Sequence, residues 1–200
     1  MPPAAEPDPD LTRRLQAFVD LLLHWNATLN LVAARDARAV WQRHVMDSFQ
    51  LVAHVPPGTS RGIDLGSGAG FPGLIVAMAT GIPFDLVESD RRKSAFLRSA
   101  AQATGTPVTV HACRIEAADL PPAPLITARA LAPLPKLLGY AVRFVAPGGV
   151  CLFLKGAAVD AELAAAEAEW DMHVTRIPST TASDGTLVRI SDLRPRASGG

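Results

Sequence analysis

Three glycines separated by single residues, Gly66, Gly68 and Gly70, do most to constrain the fold of this chain. A short apolar run ending at Leu65 precedes them, and an apolar segment with helical spacing begins at Phe71. Glycine tolerates positive φ and lets a ligand approach the backbone. A helix N-terminus offers free N–H groups to a negatively charged group. The pattern predicts a strand, a ligand-binding loop and a helix.

Two kinds of ligand fit this loop. The hexamer from Gly68 to Gly73 matches the dinucleotide pattern G-x-G-x-x-G, and Glu88 follows about 20 residues later. The glycine series starts earlier, however, at Gly66, and Asp64 precedes it. A carboxylate there suits the ammonium group of S-adenosylmethionine and would repel a pyrophosphate. The rest of the chain also has no room for a dehydrogenase's substrate domain, so we expect S-adenosylmethionine as the cofactor.

Apolar runs alternate with helical segments after residue 60, which predicts an α/β, Rossmann-like sheet that is mostly parallel. Strands are expected at 62–65, 82–87, 107–112, 125–128, 149–154, 172–177 and 185–190. Helices are expected at 71–80, 90–104, 131–145 and 159–170. The last two strands are close in sequence, so we expect an antiparallel pair at the C-terminal edge. Ligands of such sheets bind beyond the carboxyl ends of the strands.

The residues before the sheet have a different pattern. Residues 1–10 are acidic and Pro-rich, which predicts a disordered lead-in and no signal peptide. Residues 11–57 are expected to form a helical extension, with Asp36 as the N-cap of its second helix. The S-adenosylmethionine-binding domain is then expected at 58–192, and a flexible tail at 193–200.

Charge and cysteine content narrow the class of protein. The formal net charge is zero, but fifteen Lys/Arg face nine Asp/Glu between Leu11 and Lys155. That distribution is compatible with a polyanionic partner. Two cysteines, Cys113 and Cys151, are too few for a disulfide framework or a cysteine-built metal site, which favours the cytoplasm. The histidines lack metal-ligand spacing, and no apolar run is long enough to span a membrane, so we expect neither a metal site nor a membrane span.

Candidate binding residues follow the predicted strands. Glu88 comes after the second strand, where a carboxylate accepts from ribose hydroxyls. Ile115 and Glu116 come after the third, where an adenine ring would lie. Arg129 and Lys155 come after the fourth and fifth and place cations over the crevice. Each residue also has a plain structural interpretation, as a strand-end acid or as an arginine that pairs with a carboxylate.

Five motifs in the same order resemble those of the bacterial small-subunit rRNA guanine-N7 methyltransferases. This family is also called the glucose-inhibited division protein B (RsmG) family. The motifs are W-N-x-x-x-N-L from Trp25, R-H-x-x-D-S from Arg43, D-x-G-x-G-x-G-x-P-G from Asp64, the segment Thr127–Ala130, which is close to S-R-A, and L-K-G from Leu154.

This resemblance implies a class I methyltransferase that methylates guanine N7 in a non-helical region of 16S rRNA. It implies cofactor contacts at Gly66, Phe71, Ile115, Glu116 and Arg129, with Glu88 at the ribose. Guanine N7 carries a free lone pair, and its methylation removes no proton. The role expected of Arg129 is therefore positioning, with no general base.

The helical extension and the fifth strand supply candidate RNA contacts, Arg35, Arg43, His44 and Lys155. The expected partner is 16S rRNA or the small ribosomal subunit, and we expect a monomer. Two other functions remain open at this point. One is a small-molecule methyltransferase, and the other is a non-catalytic ribosome-assembly factor on the same fold.

Overall fold

A seven-stranded sheet organises the protein. The computed structural model describes residues 6–34 and 36–196. The strands are β1 (Gly62–Leu65), β2 (Phe84–Val87), β3 (Val108–His111), β4 (Ala123–Arg129), β5 (Val145–Lys155), β6 (Trp170–Pro178) and β7 (Thr186–Pro195). Their order is β3-β2-β1-β4-β5-β7-β6, and β7 alone runs opposite in direction to the other six strands. This confirms the predicted α/β sheet with an antiparallel C-terminal pair.

Helices cover both faces of the sheet. They are α1 (Pro9–Leu29), α2 (Ala37–Val40), α3 (Met46–Phe49), α4 (Gly73–Thr80), α5 (Arg91–Thr104), α6 (Leu134–Ala141) and α7 (Val159–Glu167). Alternate residues of each strand point to opposite faces, so the sheet separates two hydrophobic cores. One core packs β-strand residues against α1, α4 and α5, and the other packs them against α6 and α7.

The N-terminal helices belong to the first of these cores. Leu15, Phe18 and Leu22 of α1 are fully buried, and the Phe18 ring lies 5.5 Å from the ring of Phe71, centroid to centroid. The Asp36 side chain accepts from the N–H of Ala39 at 2.8 Å, as an N-cap does. The extension is therefore packed against the sheet over the glycine loop.

The segment after residue 36, for which the sequence predicts one helix, changes its winding three times. A π-helical turn (Trp41–Val45) joins α2 to α3, and a 3-10 helix (Gln50–His54) follows. A π turn contains one more residue than an α-helical turn and occurs often at functional sites. The motif residues Arg43 and His44 lie in this turn.

Several boundaries differ from the sequence-based expectation. Helix α4 begins at Gly73, because residues 71 and 72 belong to a turn that is as buried as the helix. Helix α6 begins only at Leu134, after Pro133 at its N-cap position, and β5 begins four residues early, at Val145. The apolar pattern reports burial, so it does not separate a buried turn from a buried helix.

The ends of the chain are described in part. Residues 9 and 10 of the expected lead-in lie in α1, and β7 continues to Pro195. Residues 1–5 and 197–200 of the expected lead-in and tail lie outside the described residues. Within the described ranges, no helix combines the length and the apolar character needed to cross a membrane.

Candidate functional site

A cleft of about 800 Å³ opens at the carboxyl ends of β1, β2 and β4. We call it the main cleft. It contains eight of the residues proposed from the sequence: His44, Gly66, Gly68, Phe71, Glu88, Ile115, Glu116 and Arg129. The position agrees with the rule for ligands of parallel sheets.

The glycine loop has the backbone conformation that its sequence indicates. Gly66, Gly68 and Gly70 all have positive φ, at 68°, 55° and 92°. The N–H groups of Gly66 and Ser67 donate to the carbonyl of Val87 at 2.9 and 3.1 Å. The loop therefore curls over the end of β2 and presents its backbone to the cleft.

Glu88 holds this loop with its carboxylate. One oxygen accepts from the N–H of Gly68 at 2.8 Å, and the other accepts from the N–H of Asp90 at 2.7 Å. Each carboxylate oxygen has a second lone pair that can accept from another donor. Glu88 thus shapes the loop and keeps acceptor capacity on the cleft side.

Asp64 and Gly70 do not line the main cleft. The Asp64 carboxyl is completely buried, and one oxygen accepts from the Thr127 hydroxyl at 2.6 Å. The other oxygen has no hydrogen-bond partner among the described residues. Burial raises the pKa of Asp64 to about 6, although the bond from Thr127 opposes this shift. A Cβ on Gly73 would lie 2.3 Å from the Cβ of Asp64, so glycine is required where α4 crosses this carboxyl.

Ile115 and Glu116 form the opposite wall of the cleft. Ile115 is buried in a 3-10 turn (Ile115–Ala117), whereas the Glu116 side chain is exposed. One oxygen of Glu116 accepts from the Tyr140 hydroxyl at 3.0 Å. Tyr140 also lines the cleft. No sequence signal pointed to this residue, because it lies in α6, far from any motif.

Arg129 joins the sheet to the N-terminal extension. Its guanidinium lies over the Phe71 ring, 4.8 Å from the centroid, and donates to Nδ1 of His44 at 2.9 Å. A carboxylate oxygen of Asp47 lies 3.6 Å from the same Arg129 nitrogen. The His44 ring also packs on the Phe71 ring at 5.2 Å. These four side chains form one cluster between the cleft and the extension.

His44 is uncharged near neutral pH in this cluster. Burial, and then the neighbouring charge of Arg129, lower the pKa of His44 to about 4 from an ordinary value of 6.5. A neutral imidazole with an unprotonated Nδ1 can accept from Arg129, whereas imidazolium cannot. The tautomer with hydrogen on Nε2 follows from this contact.

The low pKa of His44 predicts a pH dependence of stability. Between pH 6.5 and 4 the unfolded chain binds a proton at this residue that the folded chain does not, so folding weakens as pH falls through that window. We expect the free energy of unfolding to fall more for the parent than for His44→Gln. Denaturant titrations at pH 7, 6 and 5 measure this difference. Asp64 also makes stability depend on pH, but it is present in both proteins, so its effect cancels in the comparison. Equal losses would contradict the assignment.

The proposed RNA-contacting residues lie in different environments. The Arg43 side chain is exposed in the π turn. The Lys155 ammonium lies 2.5 Å from a Glu162 oxygen and donates to the carbonyl of Ala132 at 2.9 Å, with 8% of its side chain exposed. Arg35 lies outside the described residues.

A second cleft of about 600 Å³ adjoins the main one. The two share the wall segment 129–132 that follows β4. The far side of the second cleft is formed by the loop between β6 and β7, including Ala182 and Asp184, and Asp47 also lines it. The sequence did not indicate this cleft, because its two sides come from segments about fifty residues apart.

Comparison with protein families identifies a match along most of the chain. The family model described as GidB, rRNA small subunit methyltransferase G, matches residues 11–188. A relative named ribosomal RNA small subunit methyltransferase G, from Acidiphilium cryptum, is 52% identical over 92% of this chain and 86% of its own length. A relative of the same name from Gluconobacter oxydans is also 52% identical, over 90% of this chain and 93% of its own.

Solved structures share the fold at low sequence identity. An O-methyltransferase from Bacillus cereus in complex with SAH has a TM-score of 0.59 and 16% identity, covering 87% of this chain and 90% of that one. A tRNA (m1A58) methyltransferase from Aquifex aeolicus has a TM-score of 0.56 and 12% identity, covering 76% and 69%. These likenesses establish the class I methyltransferase fold.

Proposed function

The chain belongs to the rRNA small subunit methyltransferase G family, and we propose that it methylates N7 of a guanine in a non-helical region of 16S rRNA. The protein is an S-adenosylmethionine-dependent rRNA methyltransferase. Beyond this activity, the proposal specifies guanine as the methylated base and N7 as the methylated atom. The observation that carries it is the main cleft, where the glycine loop, Glu88 and Arg129 meet at the carboxyl edge of the sheet.

The residues of the main cleft fit S-adenosylmethionine. The cleft volume lies within the usual range for a small-molecule site. A Cβ on Gly68 would meet only the Gly66 carbonyl, at 3.8 Å, so the loop leaves open space in front of its backbone. Buried apolar surface from Phe71 and Ile115 and the carboxylate of Glu88 offer contacts for a ring and for hydroxyl groups.

We assign the contacts as follows. Glu88 accepts from the ribose hydroxyls, Ile115 and Glu116 border the adenine, and Gly66 and Gly68 approach the methionine end. Phe71 and Arg129 close the cleft on the side of the extension. Because Asp64 and Gly70 are buried away from the cleft surface, we assign both to the shape of the loop. Asp64 then acts through Gly73 and Thr127 and does not contact the ammonium group.

Held by the glycine loop, Glu88 and Ile115, S-adenosylmethionine would supply a methyl group on a positively charged sulfur. Guanine N7 would donate its lone pair to that methyl carbon, and sulfur would keep the electron pair of the broken carbon–sulfur bond. N7 bears no proton, so no base is needed. Catalysis then depends on alignment of the reacting atoms, and the Arg129 cluster borders the cleft in which they would be aligned. His44 accepts a hydrogen bond from Arg129, and it is not needed as a base because the reaction releases no proton.

The RNA contacts are revised in one respect. We retain Arg43 and Arg35 as phosphate contacts and His44 as a residue near the RNA. Lys155 is held by Glu162 and the Ala132 carbonyl, so we assign it to the wall of the second cleft. We also propose that the protein acts as a cytoplasmic monomer without a metal, and that its partner is 16S rRNA or the small ribosomal subunit.

The product test uses the chemistry of N7 alkylation. An N7-methylated guanine carries a cationic ring that borohydride reduces, after which aniline cleaves the strand at that nucleotide. We expect 16S rRNA from cells lacking the protein to lose one such cleavage. Purified protein with S-adenosylmethionine should restore it. RNA binding should weaken steeply as salt rises, because phosphate contacts release counterions.

The controls separate the substrate from the cofactor. Protein without S-adenosylmethionine should restore no cleavage. Label transferred from S-adenosylmethionine to a ribose, a pyrimidine or a metabolite would contradict the guanine-N7 assignment. Those results would leave the fold and the cofactor unchanged. Tight binding of S-adenosylmethionine without any transfer would indicate the non-catalytic alternative.

A further inference from the structure

Asp47 connects Arg129 with the loop between β6 and β7. One carboxylate oxygen lies 3.6 Å from Arg129, and the other accepts from the Thr181 hydroxyl at 2.9 Å and from the Gln50 amide at 2.8 Å. The side chain is 17% exposed. Arg129 compensates the negative charge of Asp47. The hydrogen bonds to the carboxylate orient the side chains of Thr181 and Gln50. Asp47 itself does not line the main cleft, although its partner Arg129 does.

The loop makes further contacts with the same helical segment. The Gln50 side chain accepts from the N–H of Thr180 at 3.1 Å and donates to the Ser179 hydroxyl at 3.2 Å. The N–H of Ser179 donates to the carbonyl of Gly185 at 2.9 Å, which closes the base of the loop. The loop is therefore attached to the N-terminal extension by side chains separated from it by about 130 residues of chain.

This loop is the outer side of the second cleft. Ala182, Asp184 and Gly185 line the cleft from the loop, and Lys155 lines it from the end of β5. The segment 129–132 lines both this space and the main cleft, so the two clefts adjoin along it. An acceptor in the second cleft would therefore lie beside a cofactor bound in the main cleft. Reacting groups must lie in contact and in line for transfer.

We propose that the second cleft holds the methyl-accepting guanine and that Asp47 is the positioning residue that fixes the loop closing it. The proposal rests on the proposed function and adds the site of the base. Guanine presents N–H donors on its Watson–Crick edge, and a carboxylate is the matching acceptor. The exposed Asp184 carboxylate supplies that acceptor from the loop. The opposite, N7 edge then faces the main cleft.

The test measures steady-state methylation of 16S rRNA alongside S-adenosylmethionine binding by calorimetry. Thr181→Val removes the hydroxyl that Asp47 accepts from, and Asp47→Asn removes the charge. Asp184→Asn removes the acceptor for the base. We expect each variant to lower kcat/KM for RNA by roughly three- to tenfold or more. The Kd for S-adenosylmethionine should stay within about twofold of the parent.

Conservative and distant variants provide the controls. Thr181→Ser keeps the hydroxyl and should restore kcat/KM. Thr175→Val changes the same residue type on the exposed side of β6, and Asp171→Asn breaks an Asp–Arg pair at the far end of the hairpin. Both should behave as the parent does. Hydrogen exchange of the peptide 178–186 should accelerate in Thr181→Val, which reports on the loop without any substrate.

Two outcomes would overturn the proposal. Normal kcat/KM in either Thr181→Val or Asp184→Asn would remove the second cleft as the acceptor site. A parallel loss of S-adenosylmethionine binding would show that Asp47 supports the fold generally. If Asp47→Asn does not fold, Thr181→Val decides the matter. A parent protein that transfers no methyl group to 16S rRNA would instead refute the proposed function, while hydrogen exchange still tests the loop attachment.

Discussion

Lysine in place of Arg129 is expected to slow methyl transfer to 16S rRNA by about 100-fold, because displacements near 1 Å cost about that factor. Lysine keeps the positive charge near Asp47 but loses the planar group that lies over Phe71 and donates to His44. The cluster at the border of the two clefts then loses its fixed geometry. Burial lowers the pKa of Arg129, but a guanidinium stays charged, so both arginine and lysine carry a positive charge and the variant removes only the planar group.

The measurement pairs single-turnover methylation with thermal unfolding. Arg61→Lys is a matched control, since Arg61 bonds to the Asp85 carboxylate at 2.8 Å and to a backbone carbonyl at the other end of the sheet. We expect Arg61→Lys to transfer methyl groups at the parent rate. A large loss of thermal stability with normal transfer in Arg129→Lys would show that Arg129 is a structural residue.

The parallel sheet and the glycine loop illustrate what a local pattern can predict. Alternation of apolar runs and helical segments predicted the parallel sheet, because burial on both faces leaves strands as continuous apolar runs. Alternate glycines predicted positive φ in the loop, since other residues rarely adopt it. Both inferences depend on residues that are close together in the sequence.

Asp64 shows what a charge argument from the sequence leaves open. An acid two residues before the loop suggests a partner for an ammonium group. In the structure all four residues of β1 are buried, so the Asp64 side chain points into the protein and bonds to Thr127. Its position in the sequence does not show whether the Asp64 side chain faces the cleft or the protein interior. That depends on how α4 crosses β1 at Gly73.

Asp47 and Lys155 show a second limit. The motif R-H-x-x-D-S placed Asp47 near His44, but its hydroxyl partner Thr181 is 134 residues away. Lys155 looked available for RNA, yet it pairs with Glu162 on α7. The first pairing joins segments far apart in the sequence, and the second depends on how the chain turns from β5 into α7. Such contacts decide which cations are free to bind phosphate.

Valine in place of Gly68 is expected to weaken S-adenosylmethionine binding by about 100-fold or more, which corresponds to roughly 2.7 kcal/mol. Gly68 has φ 55°, and the space before its Cα is open towards the cleft. A branched side chain there enters the volume that the cofactor's methionine end would occupy. Its N–H bond to Glu88 links the change to the ribose contact as well. Calorimetry with S-adenosylmethionine measures the effect.

Gly105→Val is the control that distinguishes the two effects of Gly68→Val, which are strain in the backbone and obstruction of the cofactor site. Gly105 has φ 59°, a Cβ added to it would meet nothing within 4 Å, and it lies at the end of α5, away from the main cleft. Left-handed backbone costs a non-glycine residue about 1–2 kcal/mol at either position. Both variants should therefore lose similar stability, while only Gly68→Val loses the cofactor. Normal binding by folded Gly68→Val would contradict the placement of S-adenosylmethionine against this loop.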